Sequence, residues 1–345
     1  MKRVLVTGGS GFIGTNVMQH WMDKGVEAVN FDIRPPQNPA HADRWQKVDL
    51  LDADALAGAM RDLRPDCVIH LAARADIEGT HLDDYRINTE GVENLVAAVK
   101  QSGAPRVLFT SSQLVCRPGY RPTTDTDYCP PNPYGVSKVR TEEIARAEGR
   151  DDFVWTLMRP TSIWGPWFEQ PYRAFFLTVR RGRYLQARGL RVPKSFGFVG
   201  NTVVQMERLA LCPAERIHGR VLYVADYEAV VVSEWAETVR RAWGAPPIRE
   251  VPLGLLRAAA LAGDQLKRLG MKNPPLTSYR LRNLLTESAQ DMGPLREVCG
   301  PMPYSVAEGT DITVAWMRAQ EAGATPGPTP GARRSEEEAR GEETR

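Results

Sequence analysis

A tyrosine and a lysine four residues apart, Tyr134 and Lys138, are the residues of this sequence with the clearest capacity for chemistry. On a helix, side chains at this spacing lie on the same face. A free tyrosine has a pKa of about 10, and a neighbouring cation lowers that pKa because it stabilises the phenolate. The pair can therefore take a proton from an alcohol as a general base. An exposed helical pair without function would show the same spacing, so the pattern needs support from elsewhere in the chain.

A serine pair, Ser111 and Ser112, directly follows the apolar run Val107–Thr110, which predicts a buried strand. A hydroxyl at a strand end can donate a hydrogen bond to a substrate oxygen and accept one from it. A serine in an ordinary turn would look the same. Because Tyr134 and Lys138 follow Ser112 along the chain, the three residues together predict an oxidation site. There a substrate hydroxyl would lose its proton while the carbon that bears it loses hydride.

The N-terminal segment Val4–Gly14 has the residue types of a phosphate-binding loop. Its glycines are spaced three apart, at Gly8, Gly11 and Gly14. Such a loop needs a tight turn, a backbone close to the pyrophosphate and a helix packed tightly on a strand. The first helical amides, here around Phe12 and Ile13, then face the anion. Glycines also mark simple turns, but a predicted strand precedes this loop and a predicted helix follows it, so we predict dinucleotide binding.

An acidic residue, Asp32, ends the second predicted strand, eighteen residues after Gly14. A carboxylate at this place accepts hydrogen bonds from the ribose hydroxyls and repels a 2′-phosphate, so it favours NAD over NADP. Arg34 is close enough to weaken that preference, and it can equally be a solvated loop residue. We predict NAD as the cofactor.

Short apolar runs alternate with amphipathic stretches through the first half of the chain. The runs predict strands at Val4–Thr7, Ala28–Asp32, Gln46–Val48, Cys67–Leu71, Val107–Thr110 and Val154–Met158, and the stretches predict helices at 13–24, 53–62, 83–101 and 135–148. This alternation predicts an α/β fold, a Rossmann-type doubly wound parallel sheet with helices on both faces. Ligands of such sheets bind at the carboxyl ends of the strands, which is where Asp32 and Ser112 would lie.

The alternation ends near residue 165. We predict an NAD-binding Rossmann domain over 1–165, to which 200–245 return through a strand at Arg220–Val224 and a helix at Ser233–Trp243. A smaller, mostly helical substrate-binding lobe would comprise 166–199 and 246–320. Residues 322–345 are rich in Gly, Pro, Glu and Arg, and this composition predicts a disordered tail.

Composition excludes several classes of protein. Lysine and arginine number 44 against 42 acidic residues, and a net charge of +2 gives no reason to expect nucleic acid as a partner. The five cysteines form no CxxC pair and no zinc-like cluster, so we predict no metal site and a reducing, cytoplasmic compartment. No apolar run reaches about 18 residues, so no transmembrane helix is predicted. The start of the chain lacks the apolar run of a signal peptide.

In their order along the chain, these motifs resemble those of the extended short-chain dehydrogenases/reductases. The resemblance is closest to the NAD-dependent epimerase/dehydratase family and extends to about residue 320. Besides Ser112 and the Tyr134–Lys138 pair, it rests on the glycine loop, Asp32, Asp49-Leu50, His70–Ala73, Asn88, Arg159-Pro160, Gly165-Pro166 and Phe196–Asn201.

The resemblance implies a role for each matching residue. Tyr134 would be the base, Lys138 would hold the ribose and lower the pKa of the tyrosine, and Ser112 would bind the reacting hydroxyl. Other residues would surround the cofactor: Asp49, Leu50, Leu71, Ala72, Ala73, Asn88, Pro160 and Ile163. Alanine and leucine at strand ends are often packing residues, which is the alternative for the apolar members. Relatives commonly form homodimers through helices flanking the sheet, so we expect a homodimer.

The substrate side is basic and aromatic. Seven basic residues lie between 173 and 194, and an anionic diphosphate would need charge-assisted hydrogen bonds of this kind. Most should lie on a solvated face, and we predict that Arg173 and Lys194 reach the substrate. Trp164, Trp167 and Phe168 would stack on a base or sugar ring, or else pack in the core.

Two functions share this set of catalytic residues. We predict a nucleotide-sugar epimerase, which oxidises a ring hydroxyl to a transient ketone and returns hydride to the other face. The alternative is an NAD-dependent dehydrogenase or reductase of a sugar or a 3β-hydroxysteroid-like alcohol, favoured by the segment Pro274–Thr277 and by Ser162, where many epimerases carry Asn. Gln113-Leu114 replaces the Asp-Glu pair of sugar-nucleotide dehydratases, which argues against 4,6-dehydration. A catalytically silent NAD-binding regulator is less favoured, because the catalytic residues are intact.

A later stretch, Val251–Leu269, has apolar residues at helical spacing, with Arg257, Asp264, Lys267 and Arg268 between them. Packing against the main domain is the prediction. A helix lying on a membrane surface is the alternative.

Overall fold

The computed structural model describes residues 1–149, 152–169, 171–271, 274 and 276–323. The strands are β1 Arg3–Thr7, β2 Glu27–Asp32, β3 Trp45–Lys47, β4 Cys67–His70, β5 Arg106–Thr110, β6 Val154–Pro160, β7 Ser162–Trp164, β8 Leu185–Ala187, β9 Pro193–Lys194, β10 Phe196–Phe198, β11 Val221–Val224, β12 Val230–Val231 and β13 Arg249–Val251. The α-helices are α1 Phe12–Asp23, α2 Ala53–Leu63, α3 Glu90–Ser102, α4 Pro133–Glu148, α5 Tyr172–Arg180, α6 Val199–Leu211, α7 Ala214–Ile217, α8 Val232–Trp243, α9 Leu253–Arg268, α10 Ser278–Leu285, α11 Gly293–Cys299 and α12 Val306–Glu321. Short 3₁₀ helices cover Pro39–Arg44, Leu82–Asn88 and Gln113–Val115.

The main sheet has seven strands in the order β11-β6-β5-β4-β1-β2-β3, and every neighbouring pair is parallel. The predicted doubly wound α/β fold is confirmed. The chain runs outward from β1 in both directions, so the strand order reverses between β1 and β4. Ligands of doubly wound sheets bind in the crevice at such a reversal, beyond the carboxyl ends of the strands.

Burial on both faces of the sheet explains why the strands appear in the sequence as continuous apolar runs. In β1, Val4 and Val6 pack into one core cluster, and Leu5 packs into the other, on the opposite face of the sheet. Successive side chains of a strand point to opposite faces, and a parallel sheet covered by helices leaves neither face to water.

One predicted element is divided. The stretch predicted as a single helix over 83–101 is a 3₁₀ helix, Leu82–Asn88, followed by α3, with a non-helical residue at Thr89. The break accompanies a tertiary contact, because the buried Asn88 amide donates to the Arg74 carbonyl and to the Ser137 hydroxyl. Helical periodicity continues across the break, so the sequence pattern did not reveal it.

Small two-stranded sheets, separate from the main sheet, occur in the second part of the chain. β7 pairs with β10, β8 with β13, and β9 with β12. α9 and α10 form their own apolar cluster around Leu256, Ala260, Ala187 and Leu281.

The segment assigned to the substrate lobe is not uniform. α11 and α12 contribute to the main core and pack on α6 and α8. All but the first two residues of the predicted tail, 322–345, lie outside the described part of the chain.

Three further observations concern the predictions about disulfides, metal sites and membrane-spanning helices. All five cysteines are free thiols. Across the described ranges, no group of three or more His, Cys, Asp or Glu side chains is arranged to hold a metal ion. Among the helices that the structure describes, none is both long and apolar enough to cross a bilayer.

Candidate active site

Helix α4 places Tyr134 and Lys138 at the carboxyl edge of the sheet. The Asn132 side chain caps its first turn by accepting a hydrogen bond from the Gly135 amide at 2.9 Å, and Pro133 occupies the first helical position. Both reactive side chains are buried, on one face of the helix. Gly135 permits this placement, because a Cβ there would lie 2.4 Å from the Leu114 carbonyl oxygen.

The Ser112 hydroxyl meets Tyr134 across this edge. Ser112 has an extended backbone at the start of the 3₁₀ turn, and its Oγ accepts from the Leu114 amide at 3.1 Å. Burial raises the pKa of Tyr134, and a hydrogen bond with Ser112 opposes the rise. The structure therefore brings the predicted serine and tyrosine together.

Lys138, one helical turn after the tyrosine, reaches the end of β5. Its ammonium donates to the Thr110 carbonyl at 2.9 Å, and burial lowers the pKa of Lys138 to about 8, with Glu142 acting in the opposite direction. The net shift of the Tyr134 pKa is upward, because the loss of water around a buried phenolate outweighs the hydrogen bond from Ser112.

A buried polar network lies next to these three residues. The Glu142 carboxylate accepts hydrogen bonds from Ser111 Oγ at 2.6 Å, Tyr128 OH at 2.9 Å and Arg159 Nη2 at 2.7 Å. Arg159 also donates to the Asp125 carbonyl at 2.6 Å. Because Ser111 precedes Ser112, this network ties the ends of β5 and β6 to α4.

Sequence reasoning missed two members of this network, Glu142 and Tyr128. A signal was present, since Glu142 lies four residues after Lys138 and therefore on the same helical face. His70 was named only as part of a motif. Its Nδ1 is 2.8 Å from the Thr7 hydroxyl, and burial, together with Lys138, lowers its pKa to about 3.

The glycine loop has the geometry that a dinucleotide requires. Gly8 has a φ of +74°, and a Cβ there would lie 2.6 Å from the Ala72 amide. At Gly14 a Cβ would lie 2.2 Å from the Gly8 carbonyl oxygen, so the helix can touch the loop only because residue 14 is a glycine. The N-cap residue of α1, Gly11, makes no side-chain cap, which leaves the helix terminus to an anion.

Asp32 stands beside this loop, at the end of β2. Its carboxylate accepts from the Ser10 amide at 3.2 Å and from the Arg34 amide at 2.9 Å. Carboxylate oxygens have further lone pairs for ribose hydroxyls. The Arg34 side chain is exposed. Glycines without room for a Cβ, an uncapped helix start and an adjacent carboxylate together fit NAD.

The other residues predicted around the cofactor differ in exposure. Asp49 is exposed, and Leu71, Ala72 and Ala73 are half-buried along the segment after β4. Leu50, Asn88, Pro160 and Ile163 are buried. Leu50 and Ile163 belong to the two core clusters, so packing accounts for both. Asn88 supports the chain after β4, as the resemblance implied, through its contacts with Arg74 and Ser137.

The predicted substrate cations lie on two different elements. Arg173 lies in the first turn of α5 with an exposed side chain. Lys194 lies in β9, where its ammonium donates to the Asn283 carbonyl at 2.5 Å and burial lowers its pKa to about 8. Two other basic residues of this segment are paired within the protein, Arg180 with Glu321 and Arg191 with Glu234.

The aromatic residues follow the packing alternative. Trp164 is fully buried, with its ring centroid 4.9 Å from that of Trp235, and Phe168 is buried in the same cluster. The prediction that these two rings stack on a ligand is therefore wrong. Trp167 is half-buried and lies 5.8 Å from Trp316. A residue that sequence reasoning missed, Tyr172, is hydrogen-bonded to Ser162.

Comparison with known proteins relates the whole fold to one family. A 3β-hydroxysteroid dehydrogenase/Δ5→4-isomerase of Mycobacterium tuberculosis is 29% identical over 261 residues, which are 71% of this chain and 70% of that protein. A UDP-glucose 4-epimerase of Azospirillum brasilense is 37% identical over 156 residues, 43% of this chain and 44% of that protein. The solved structure of a Thermus thermophilus UDP-glucose 4-epimerase in complex with NAD superposes with a TM-score of 0.67, at 21% identity over 92% of this chain and 99% of that one.

The sequence pattern of the NAD-dependent epimerase/dehydratase family matches residues 4–192, which is more than half of the chain. This range contains the glycine loop, Asp32, Ser112, Tyr134 and Lys138. The chain thus belongs to the NAD-dependent epimerase/dehydratase family and is an NAD-dependent enzyme of the extended short-chain dehydrogenase/reductase type.

Proposed function

We propose that this enzyme is an NAD-dependent dehydrogenase or reductase that interconverts an apolar secondary alcohol and its ketone. The observation that carries the reaction type is the hydrogen-bonded pair of Ser112 and Tyr134, next to Lys138, at the carboxyl edge of the sheet. The hydroxyls can both address one substrate oxygen, and the edge is where a dinucleotide fits beside the glycine loop.

In the proposed oxidation, Tyr134 acts as the phenolate and takes the proton of the alcohol, while Ser112 donates a hydrogen bond to the same oxygen. Bound NAD would supply the hydride acceptor, and its positive nicotinamide would lower the pKa of Tyr134, which burial raises. Lys138 holds a positive charge near the phenol, and its bond to the Thr110 carbonyl fixes the side chain in place. Glu142 and Arg159 position Ser111, and with it the strand end that carries Ser112.

The charges of the segment 173–194 support the choice of substrate class. A nucleotide diphosphate needs cations that are free to bind it. Lys194 is engaged with a backbone carbonyl, and Arg180 and Arg191 are engaged with acidic side chains. These contacts engage three of the seven basic residues of this segment, and to that extent they favour an uncharged substrate over an anionic one. The similarity to a hydroxysteroid dehydrogenase over about seven-tenths of both chains is consistent with that choice.

A nucleotide-sugar epimerase is the second candidate. The exposed Arg173 on the first turn of α5 favours it, as does the 37% identity to a UDP-glucose 4-epimerase, although that match covers less than half of either protein. The same three catalytic residues would serve, with hydride returning to the opposite face of the transient ketone. We also propose a homodimer, which light scattering of the purified protein tests directly.

The deciding experiment follows cofactor reduction and product together. The enzyme is incubated with NAD and either a 3β-hydroxysteroid, a medium-chain secondary alcohol or UDP-glucose. Reduced cofactor formed in proportion to ketone from an apolar alcohol is the expected result. Isomerised sugar nucleotide without net reduced cofactor, and no turnover of the alcohols, would replace this proposal with the epimerase.

A further inference from the structure

Helix α9 exposes leucine to an unusual degree. Leu255, Leu261, Leu266 and the following Leu269 are 61%, 63%, 39% and 83% exposed. Scattered exposed leucines are ordinary on a protein surface, but a contiguous apolar patch marks a contact with another apolar phase.

The exposed residues form one stripe. Leu255, Ala258, Ala262, Leu266 and Leu269 recur every three or four residues, so they lie along one side of the helix, and all are exposed. Leu261 lies farther round the exposed surface, beyond this stripe.

The opposite side of α9 is already packed. Leu256 and Ala260 are buried in the α9–α10 cluster, and a Cβ on Gly263 would lie 1.7 Å from the Leu276 carbonyl oxygen. This close contact and the two buried side chains define the packed side of α9. The leucine stripe lies on the other side, at the surface.

The sequence that contains the stripe is cationic. Between 253 and 285 the sequence has six basic residues, Arg257, Lys267, Arg268, Lys272, Arg280 and Arg282, against one acidic residue, Asp264, a net charge of +5 in a chain whose total is +2. The single carboxylate accepts a hydrogen bond from the Ser278 amide at 3.1 Å. Arg257, Lys267 and Arg268 are exposed on α9 itself.

We propose that α9 is an interfacial helix that docks the enzyme on an anionic phospholipid surface. The leucine stripe enters the boundary between headgroups and acyl chains, while Arg257, Lys267 and Arg268 meet the phosphates. The helix lies in the plane of the surface and does not cross it. A second copy of the chain fits this face poorly, because a twofold contact would bring two segments of charge +5 together.

The test needs no substrate, so its outcome is independent of the proposed reaction. The full-length enzyme is sedimented with vesicles of phosphatidylcholine alone and with vesicles containing phosphatidylglycerol. Binding is expected to the anionic vesicles, with little binding to the neutral ones, and it should weaken with added salt because exposed charges are screened.

Two variants separate the contributions. Leu255→Gln combined with Leu266→Gln should lower partitioning at least about tenfold, because two apolar side chains lose their burial. Arg257→Gln combined with Arg268→Gln should lower binding to anionic vesicles about thirtyfold. Leu211→Gln is the matched control, since Leu211 is 54% exposed at the end of α6, and it should bind as the wild type does. Retained NAD binding shows that each variant is folded.

Three outcomes overturn the proposal. The first is a folded wild type that fails to sediment with anionic vesicles. The second is an equal loss of binding in the Leu211→Gln control. The third is a stripe variant that, in the absence of lipid, dissociates a wild-type oligomer, because the stripe would then be covered by a second copy.

Discussion

Glu142 and Arg159 form a fully buried ion pair, with 2.7 Å between Oε2 and Nη2, beneath the residues proposed to carry the chemistry. The Glu142 carboxylate also accepts hydrogen bonds from the Ser111 and Tyr128 hydroxyls. Glu142 and Arg159 are 17 residues apart, on a helix and on a strand of the sheet. The pair therefore couples the helix that carries Tyr134 to the strand ends.

Glu142→Gln should destabilise the fold strongly. Removing one partner leaves the Arg159 guanidinium buried without its counter-charge, which costs about 3–5 kcal/mol. Denaturant unfolding measures the loss. Glu143→Gln, next along the helix but half exposed, is the control and should change stability by no more than about 0.5 kcal/mol. Equal stabilities of the two variants would contradict the role of the buried pair.

Tyr134→Phe should abolish turnover in either direction and leave NAD binding intact. The variant keeps the ring in place and removes only the hydroxyl, so the loss should be at least about a hundredfold in kcat. Steady-state rates and a cofactor titration measure the two properties. Tyr279→Phe, on the exposed surface of α10, is the matched control. Substantial turnover by Tyr134→Phe would remove the tyrosine from the mechanism.

Gly14→Ala should prevent NAD binding. The added methyl would lie 2.2 Å from the Gly8 carbonyl, so either the loop or α1 must move from its place at the pyrophosphate. Gly58→Ala provides the contrast, because Gly58 lies in α2 with no atom within 4 Å of the added carbon. That change should stabilise the protein by about 0.5–1 kcal/mol and leave NAD affinity unchanged. Tight NAD binding by Gly14→Ala would refute the assignment of the loop.

Asp226 should make stability depend on pH. Burial raises the pKa of this carboxyl from 3.8 to about 7, while Asn201 and the Phe198 amide donate hydrogen bonds that act in the opposite direction. The unfolded chain releases the proton near its lower pKa, whereas the folded protein holds it. The stabilisation is therefore complete below about pH 4 and is lost as pH rises through about 7.

The measurement compares unfolding free energies of the wild type and Asp226→Asn at about pH 5 and about pH 8. The variant carries a neutral group at both values. We expect the wild type to lose stability relative to the variant at the higher pH. A difference that stays constant between the two pH values would mean that Asp226 does not titrate in this range.

Much of the fold was predictable because its signals are local. Fully buried parallel strands appear as apolar runs, and the helices between them show a helical period, so the predicted α/β architecture is confirmed. The break of the helix at Thr89 was not predicted, because the residues that Asn88 contacts there are far away in sequence. The site was predictable where spacing encodes it, as for Tyr134 and Lys138, and less so where partners come from separate elements.

The sequence by itself determined the sheet, the glycine loop, the acidic residue at the end of β2 and the residues that meet at the carboxyl edge. These depend on periodicity, on positions that exclude a Cβ and on the i,i+4 geometry of a helix. Only the tertiary structure decided which charges are free. In the folded protein Lys194 donates to the Asn283 carbonyl, Glu142 is buried against Arg159, and the leucines of α9 are exposed. A charge or an apolar side chain is available to a ligand only if no distant residue has packed against it, and spacing along the chain does not contain that information.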